Sequence, residues 1–282
     1  MNHLKSILFL MIAASLIACK SENKNKEKET VEAVQKENPI KIIGEEIAYE
    51  SDTTLLRGYI AHNDALKINR PGIIVVHEWW GHDDFAREKA DELAEMGYVA
   101  LAVDMYGEGK KAAHPEEAMA FSSSVMKNFD TAKQRFMAAV ETLKADENVD
   151  PNQISAIGFC FGGSVALSMA NAGLDLDAVA VFHSGLELPV MPSENLKAKL
   201  LIQNGAEDMM ITDQQVNEFK AQLEAVDADY KYIAYDGVKH SFTNKDADSL
   251  AKKYELPLAY DKEATEKSWE NMKALFEKVY SN

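Results

Sequence analysis

The chain has 282 residues, a formal net charge of -16 at pH 7 and only two cysteines. That acidic balance excludes nucleic acid and anionic membrane surfaces as electrostatic partners, because both attract basic proteins. The two thiols, Cys19 and Cys160, sit in unrelated local signals, so a disulfide between them is not expected even in an oxidising compartment.

Residues 1–18 read as an export signal: Lys5 provides a basic start, Ile7 to Ile17 an apolar run, and the small Ala18 stands directly before Cys19. The run is too short to span a bilayer comfortably. Leu16-Ile17-Ala18-Cys19 resembles a bacterial lipobox, which implies lipidation of Cys19 and a cell-envelope protein held to a membrane by acyl chains. Residues 19–40 are mostly Glu, Lys, Asn and Ser, and such a stretch cannot bury enough apolar surface to order itself. It is expected to be a flexible charged tether, with a solvated Lys/Glu helix as the alternative. Residues 41–282 then form one catalytic domain, with no internal repeat and no second boundary.

Within that domain, Glu45 to Tyr49 and Leu55 to His62 alternate as two antiparallel strands at a sheet edge, and Gly72 to His77 is a β-branched run buried on both faces. Phe85 to Met96 has helical periodicity and stops at Gly97, after which Tyr98 to Val103 is the next strand. Pro115 to Lys127 and Asp130 to Leu143 read as helices, Gln153 to Ile157 as a strand and Ser164 to Asn171 as a helix. Strands at Ala178 to Phe182, Leu200 to Gln203 and Tyr230 to Tyr235 follow, with helices at Asp213 to Ala225 and Lys262 to Val279. Such alternation predicts an α/β fold of the α/β-hydrolase type, a mostly parallel sheet flanked by helices.

Chemistry concentrates at Gly158-Phe159-Cys160-Phe161-Gly162-Gly163. Glycines on both sides of a reactive residue, between strand and helix, write a nucleophile elbow with sulfur where oxygen is usual. An acid and a base are then sought past the later strand ends, where open α/β sheets place their sites. Asp208 follows the strand Leu200 to Gln203, with Glu207 and Asp213 as rival acids, and His240 follows Tyr230 to Tyr235. His77, His82, His114 and His183 also lie near strand ends or loops, but position after the last long strand selects His240. The order nucleophile, acid, histidine is that of an α/β-hydrolase triad.

With those residues placed, the chain from about Gly44 onward resembles the dienelactone hydrolase family. The likeness rests on Pro71-Gly72-Ile73-Ile74-Val75-Val76-His77-Glu78-Trp79-Trp80-Gly81, on Asp104-Met105-Tyr106-Gly107, on the cysteine elbow, and on His240-Ser241-Phe242. The resemblance implies that Glu78 contacts the resting thiol and helps deprotonate it. It also implies an oxyanion hole made by the backbone N–H groups of Phe161 and Trp79. Trp79, Trp80 and Tyr106 are expected as pocket walls, whereas Phe159 is expected in the core. Family members that act on dienelactone hold its carboxylate with two arginines, and Glu108 and Asn244 occupy those positions here. An acid and an amide remove that charge pairing, so the expected substrate is a neutral ester or lactone, cleaved through an acyl-thioester. Neither a metal nor an organic cofactor is expected, and His77 and His82 do not make a zinc site. The oligomeric state is open, with a monomer favoured. A catalytically silent binding lipoprotein, an acyltransferase and a peptidase remain open on the same scaffold.

Overall fold

The computed structural model describes residues 40–281, so the export signal, Cys19 and the tether up to residue 39 lie outside the described residues. An eight-stranded sheet forms from β1 (Ile42–Ser51), β2 (Thr54–Asn63), β3 (Arg70–Val76), β4 (Val99–Val103), β5 (Val149–Phe159), β6 (Ala178–Phe182), β7 (Lys199–Gly205) and β8 (Tyr230–Tyr235). Their order across the sheet is β1-β2-β4-β3-β5-β6-β7-β8. The β1·β2 and β2·β4 pairs are antiparallel, and every later pair is parallel. The expected edge hairpin and parallel body are both present.

Seven helices connect the strands among the described residues: α1 (Asp84–Glu95), α2 (Pro115–Lys127), α3 (Phe129–Lys144), α4 (Phe161–Asn171), α5 (Asp213–Ala225), α6 (Ala247–Tyr254) and α7 (Lys262–Tyr280). Alternation along β3 divides the apolar core in two, because successive side chains leave a strand on opposite faces. Ile74 and Val76 join residues of α2, α3, α4 and α5, while Ile73 and Val75 join residues of α1 and α7. All four of these β3 side chains are fully buried, which is why this run carries no polar residue.

Two strand ends and one helix differ from the sequence reading in ways that bear on the site. β5 starts at Val149, ahead of the expected Gln153, because Asp150-Pro151-Asn152 carries a Pro that discourages a strand assignment yet the pairing Arg70 with Val149 extends the sheet. β3 stops at Val76, which leaves His77 and Glu78 as the first residues of the loop above the sheet. α6 was not anticipated at all. It has eight residues, and its C-cap Glu255 is left-handed (φ 56°) without the glycine that signals such an end.

Candidate active site

β5 passes into α4 through Cys160, whose backbone is held at φ 52° and ψ -118°. A non-glycine residue there stores on the order of 1–3 kcal/mol, tolerated only where the surroundings enforce it. Here the surroundings are close-packed backbone: a Cβ on Gly158 would lie 2.2 Å from Gly162 O, and one on Gly162 would lie 2.3 Å from Val76 O. Only glycines let the turn come this near β3. The Cys160 N–H donates to Phe182 O at 3.0 Å, and its carbonyl accepts from Gly163 and Ser164, so the corner is pinned on both sides. The half-buried side chain opens into a cavity of about 270 Å³.

His240 and Asp208 come from the loops after β8 and β7 and meet beside that cavity. His240 Nδ1 donates to Asp208 Oδ2 at 2.7 Å, with side chains only 4% and 1% exposed. The Asp208 carboxylate is also fixed by Met210 N–H, which donates to Oδ1 at 2.9 Å. The rival acids Glu207 and Asp213 are exposed. His240 Nε2 is buried without a well-aligned hydrogen bond among the described residues. Burial disfavours a charged ring, yet the charge of Cys160, together with the Asp208 and Cys160 contacts, outweighs it and pushes His240 up to about 10. The ring therefore holds its proton at neutral pH beside Cys160.

The other histidines are occupied elsewhere. His183 Nε2 shares a 2.8 Å hydrogen bond with Thr243 Oγ1, and burial, then the neighbouring His240, hold its proton affinity well below the usual value. His82 is buried near Glu46, and desolvation pushes it down to about 3. His114 is exposed at the start of α2. Among the described residues no group of three or more His, Cys, Asp or Glu could hold a metal.

Glu78 is 1% exposed, and both of its carboxylate oxygens are taken. Ser241 Oγ donates to Oε1 at 2.9 Å and Asn244 Nδ2 donates to Oε2 at 2.6 Å. His183 Nε2 stands 4.0 Å from Oε1. Desolvation raises the carboxyl to about 7, against the lowering effect of those two donors. Among the described residues, neither oxygen has the hydrogen bond to the Cys160 thiol expected from the resemblance. Glu78 instead fastens the loop that carries His240, since its donors are the first and fourth residues after that histidine.

Four residues expected around the substrate are not among those lining the Cys160 cavity, although Tyr106 lies directly behind that lining. Asn244 is 5% exposed and spends its amide on Glu78 and on Asp246 N–H. Trp80 lines a separate cleft with Asn244 and Tyr254, and stacks on the Tyr254 ring. Tyr106 is buried, packs against His77, Phe121 and Phe161, and donates its hydroxyl to Trp79 O at 2.8 Å. Glu108 is exposed beside Lys110, because its left-handed backbone (φ 60°) turns it away from the sheet end. The cavity is lined instead by Trp79, Met126, Phe161, Met210 and Ile211, with Ser122, Ser123, Ser164 and Gly185 between them. Among the described residues, neither Lys nor Arg lines it. Trp79 is thus where it was expected, and Phe159 is fully buried against Phe182 and Trp269.

The two residues expected to supply oxyanion donors line the same cavity as Cys160. Phe161 is the first residue of α4, so its N–H has no acceptor within the helix. The N–H groups of Phe161 and Trp79 donate to no other protein atom among the described residues. A free amide pair beside a nucleophile is what a tetrahedral oxyanion requires.

Residues 56–280 match the model of the dienelactone hydrolase family. The chain belongs to the dienelactone hydrolase family. Protein usf of Aquifex pyrophilus is 29% identical over 243 residues, covering 84% of this chain and 99% of its own. Among solved structures, m3DLH is 32% identical with a TM-score of 0.80, covering 84% of this chain and 98% of that one. The dienelactone hydrolase-like promiscuous phosphotriesterase P91, from metagenomic libraries, is 28% identical with a TM-score of 0.77 and the same coverage. The protein is accordingly a hydrolase of a family that cleaves ester and lactone bonds.

Sequence reasoning missed the cavity walls Met126, Met210 and Ile211, and the roles of Ser241 and Asn244 as Glu78 donors. Met and Ile at such spacings read as ordinary core. The Glu78 bonds join residues 163 and 166 positions apart, which no local pattern reports.

Proposed function

We propose that this family member hydrolyses neutral carboxylic esters or lactones through a Cys160, His240 and Asp208 triad. The observation that carries the reading is the buried 2.7 Å His240–Asp208 hydrogen bond beside a cysteine held at a left-handed elbow. Cys160 Sγ attacks the carbonyl carbon, and the oxyanion accepts from the Phe161 and Trp79 amides. Collapse expels the alcohol, which takes its proton from His240, and leaves an acyl-thioester. A water then gives a proton to His240 as it attacks the thioester, and the carboxylic acid departs as the thiol is restored. Asp208 holds the imidazole with Nε2 toward the chemistry throughout.

A cavity of about 270 Å³ with apolar walls suits a small acyl group, and the lack of Lys or Arg in its lining favours uncharged substrates. Glu78 supports the site by tying down the His240 loop, and its contact with the thiol belongs to no step here. The protein works at the cell envelope, tethered through an acylated Cys19. No coenzyme enters this reaction.

Chromogenic short-chain esters test the reading. Wild-type protein is expected to hydrolyse them and Cys160→Ala is expected to be inert, with a thiol alkylator abolishing the wild-type rate. Hydrolysis that survives unchanged in Cys160→Ala sinks it. Mass analysis of the mature N-terminus tests the anchor: an unmodified Cys19 defeats it.

A further inference from the structure

The Trp79 amide can serve the oxyanion only if its N–H points at the cavity, and a peptide bond can be turned around by rotation of the flanking dihedrals. The Trp79 N–H and the Glu78 carbonyl belong to one planar trans peptide, so they point in opposite directions. Whatever holds Glu78 O therefore aims Trp79 N–H. Two groups hold it: His77 Nδ1, at 2.5 Å, and Gly81 N–H, at 3.3 Å.

The His77 ring is fully buried, and its other nitrogen is engaged as well. Met105 N–H donates to His77 Nε2 at 3.3 Å. A carbonyl only accepts and a backbone amide only donates, so Nδ1 must carry the proton and Nε2 must be bare. That is the neutral Nδ1–H tautomer, and neither the other tautomer nor the imidazolium satisfies both bonds. Burial, which lowers the proton affinity of His77, acts in the same direction. The ring also stacks on Phe161, source of the second oxyanion amide, with centroids 5.7 Å apart. On the far side of Trp79, Tyr106 holds the next carbonyl.

We infer that His77 is a positioning residue of the oxyanion hole, aiming the Trp79 N–H by donating from Nδ1 to the Glu78 carbonyl. The inference rests on the reading of Cys160 as the nucleophile. Without the imidazole, the Glu78–Trp79 peptide can rotate and present its carbonyl, a repulsive group, to the developing oxyanion. His77 is not among the residues lining the Cys160 cavity.

The test compares wild type, His77→Leu and His77→Gln on a chromogenic short-chain ester, with Cys160 alkylation by iodoacetamide as a control that needs no oxyanion hole. Loss of one such donor costs roughly 10²–10³ in kcat, so His77→Leu should fall by about that factor with little change in KM. Its alkylation rate should stay near wild type. His77→Gln offers an N–H to Glu78 O and an oxygen to Met105 N–H, and should recover most of the lost kcat. A His77→Leu protein that keeps its kcat overturns the inference, as does one whose alkylation rate falls in parallel, which marks general damage. Side-chain ¹⁵N shifts of wild type provide a reading independent of folding in the variants and of turnover: Nδ1 should stay protonated and Nε2 bare from pH 6 to 9, and any other state overturns it. If wild type hydrolyses no ester, the function reading fails while the ¹⁵N result still decides whether His77 braces the peptide.

Discussion

Replacing Glu78 with Gln isolates what a buried carboxylate costs this fold. Its carboxyl is raised from 4.5 to about 7, chiefly by desolvation, so between those pH values the folded protein keeps a proton that the unfolded chain has released. Stability therefore falls as pH rises through that window, by about 1.4 kcal/mol per pH unit for one proton. Across the window this sums to about 3 kcal/mol, a large share of the 5–15 kcal/mol typical of a domain. Glutamine fills the same space: its oxygen can accept from Asn244, and its amide can donate to the Ser241 hydroxyl, which rotates freely to accept. It does not titrate. Glu78→Gln minus wild-type stability should thus rise by about 3 kcal/mol from pH 4.5 to 7 and then level off. Urea unfolding of both proteins at half-unit pH steps measures it. Parallel curves from pH 4.5 to 8 would refute the argument, since they would mean that the carboxyl titrates alike in folded and unfolded chains.

Three further outcomes follow from the same geometry. Burial opposes a charged His240, but Cys160 and Asp208 push it up to about 10, so the ring keeps its proton below that pH and kcat/KM should decline above it. Asp208→Asn removes part of that support, and should shift the alkaline limb of the pH–rate profile downward while lowering kcat by up to about 10⁴; an unmoved limb contradicts the assignment. Gly162→Ala places a Cβ 2.3 Å from Val76 O, where only backbone can yield, and should cost about 3 kcal/mol in urea unfolding. Because neither Lys nor Arg lines the cavity, a hemisuccinate ester should show kcat/KM at least about tenfold below a butyrate ester of the same alcohol, and equal values would show that the cavity discriminates nothing by charge.

How much of this could be read from the residues alone depended on whether the deciding contact was local. The β3 run Gly72 to Val76 is apolar on both faces and the elbow packs its glycines within a few positions of Cys160, so each declares itself in a short window. His240 and Asp208 follow from strand order, because an open parallel sheet has one end at which catalytic loops gather. Glu78 was legible as a residue but not in its bonding. Its partners arrive on the loop that leads into α6, a short helix lacking a glycine stop. Tyr106 looked like a pocket wall because aromatic rings near a site often are, yet its hydroxyl is committed to the Trp79 carbonyl and its ring to the core.

The departures from the arginine pattern have unequal structural meaning. Glu108 is exposed, lies 3.6 Å from the Lys110 ammonium and is not among the residues lining the cavity. Asn244 is not free. Its Nδ2 holds Glu78 and its Oδ1 receives Asp246 N–H at the entry to α6, so one amide joins the loop after β3, the His240 loop and the next helix. An arginine there has no acceptor to offer Asp246 and would bring a larger group into a site 5% exposed. The amide is therefore a replacement with its own function, since it fixes Glu78 where an arginine would reach for an anionic substrate. On the proposed function, His240 is the group left to take the thiol proton, because both Glu78 oxygens accept from Ser241 and Asn244.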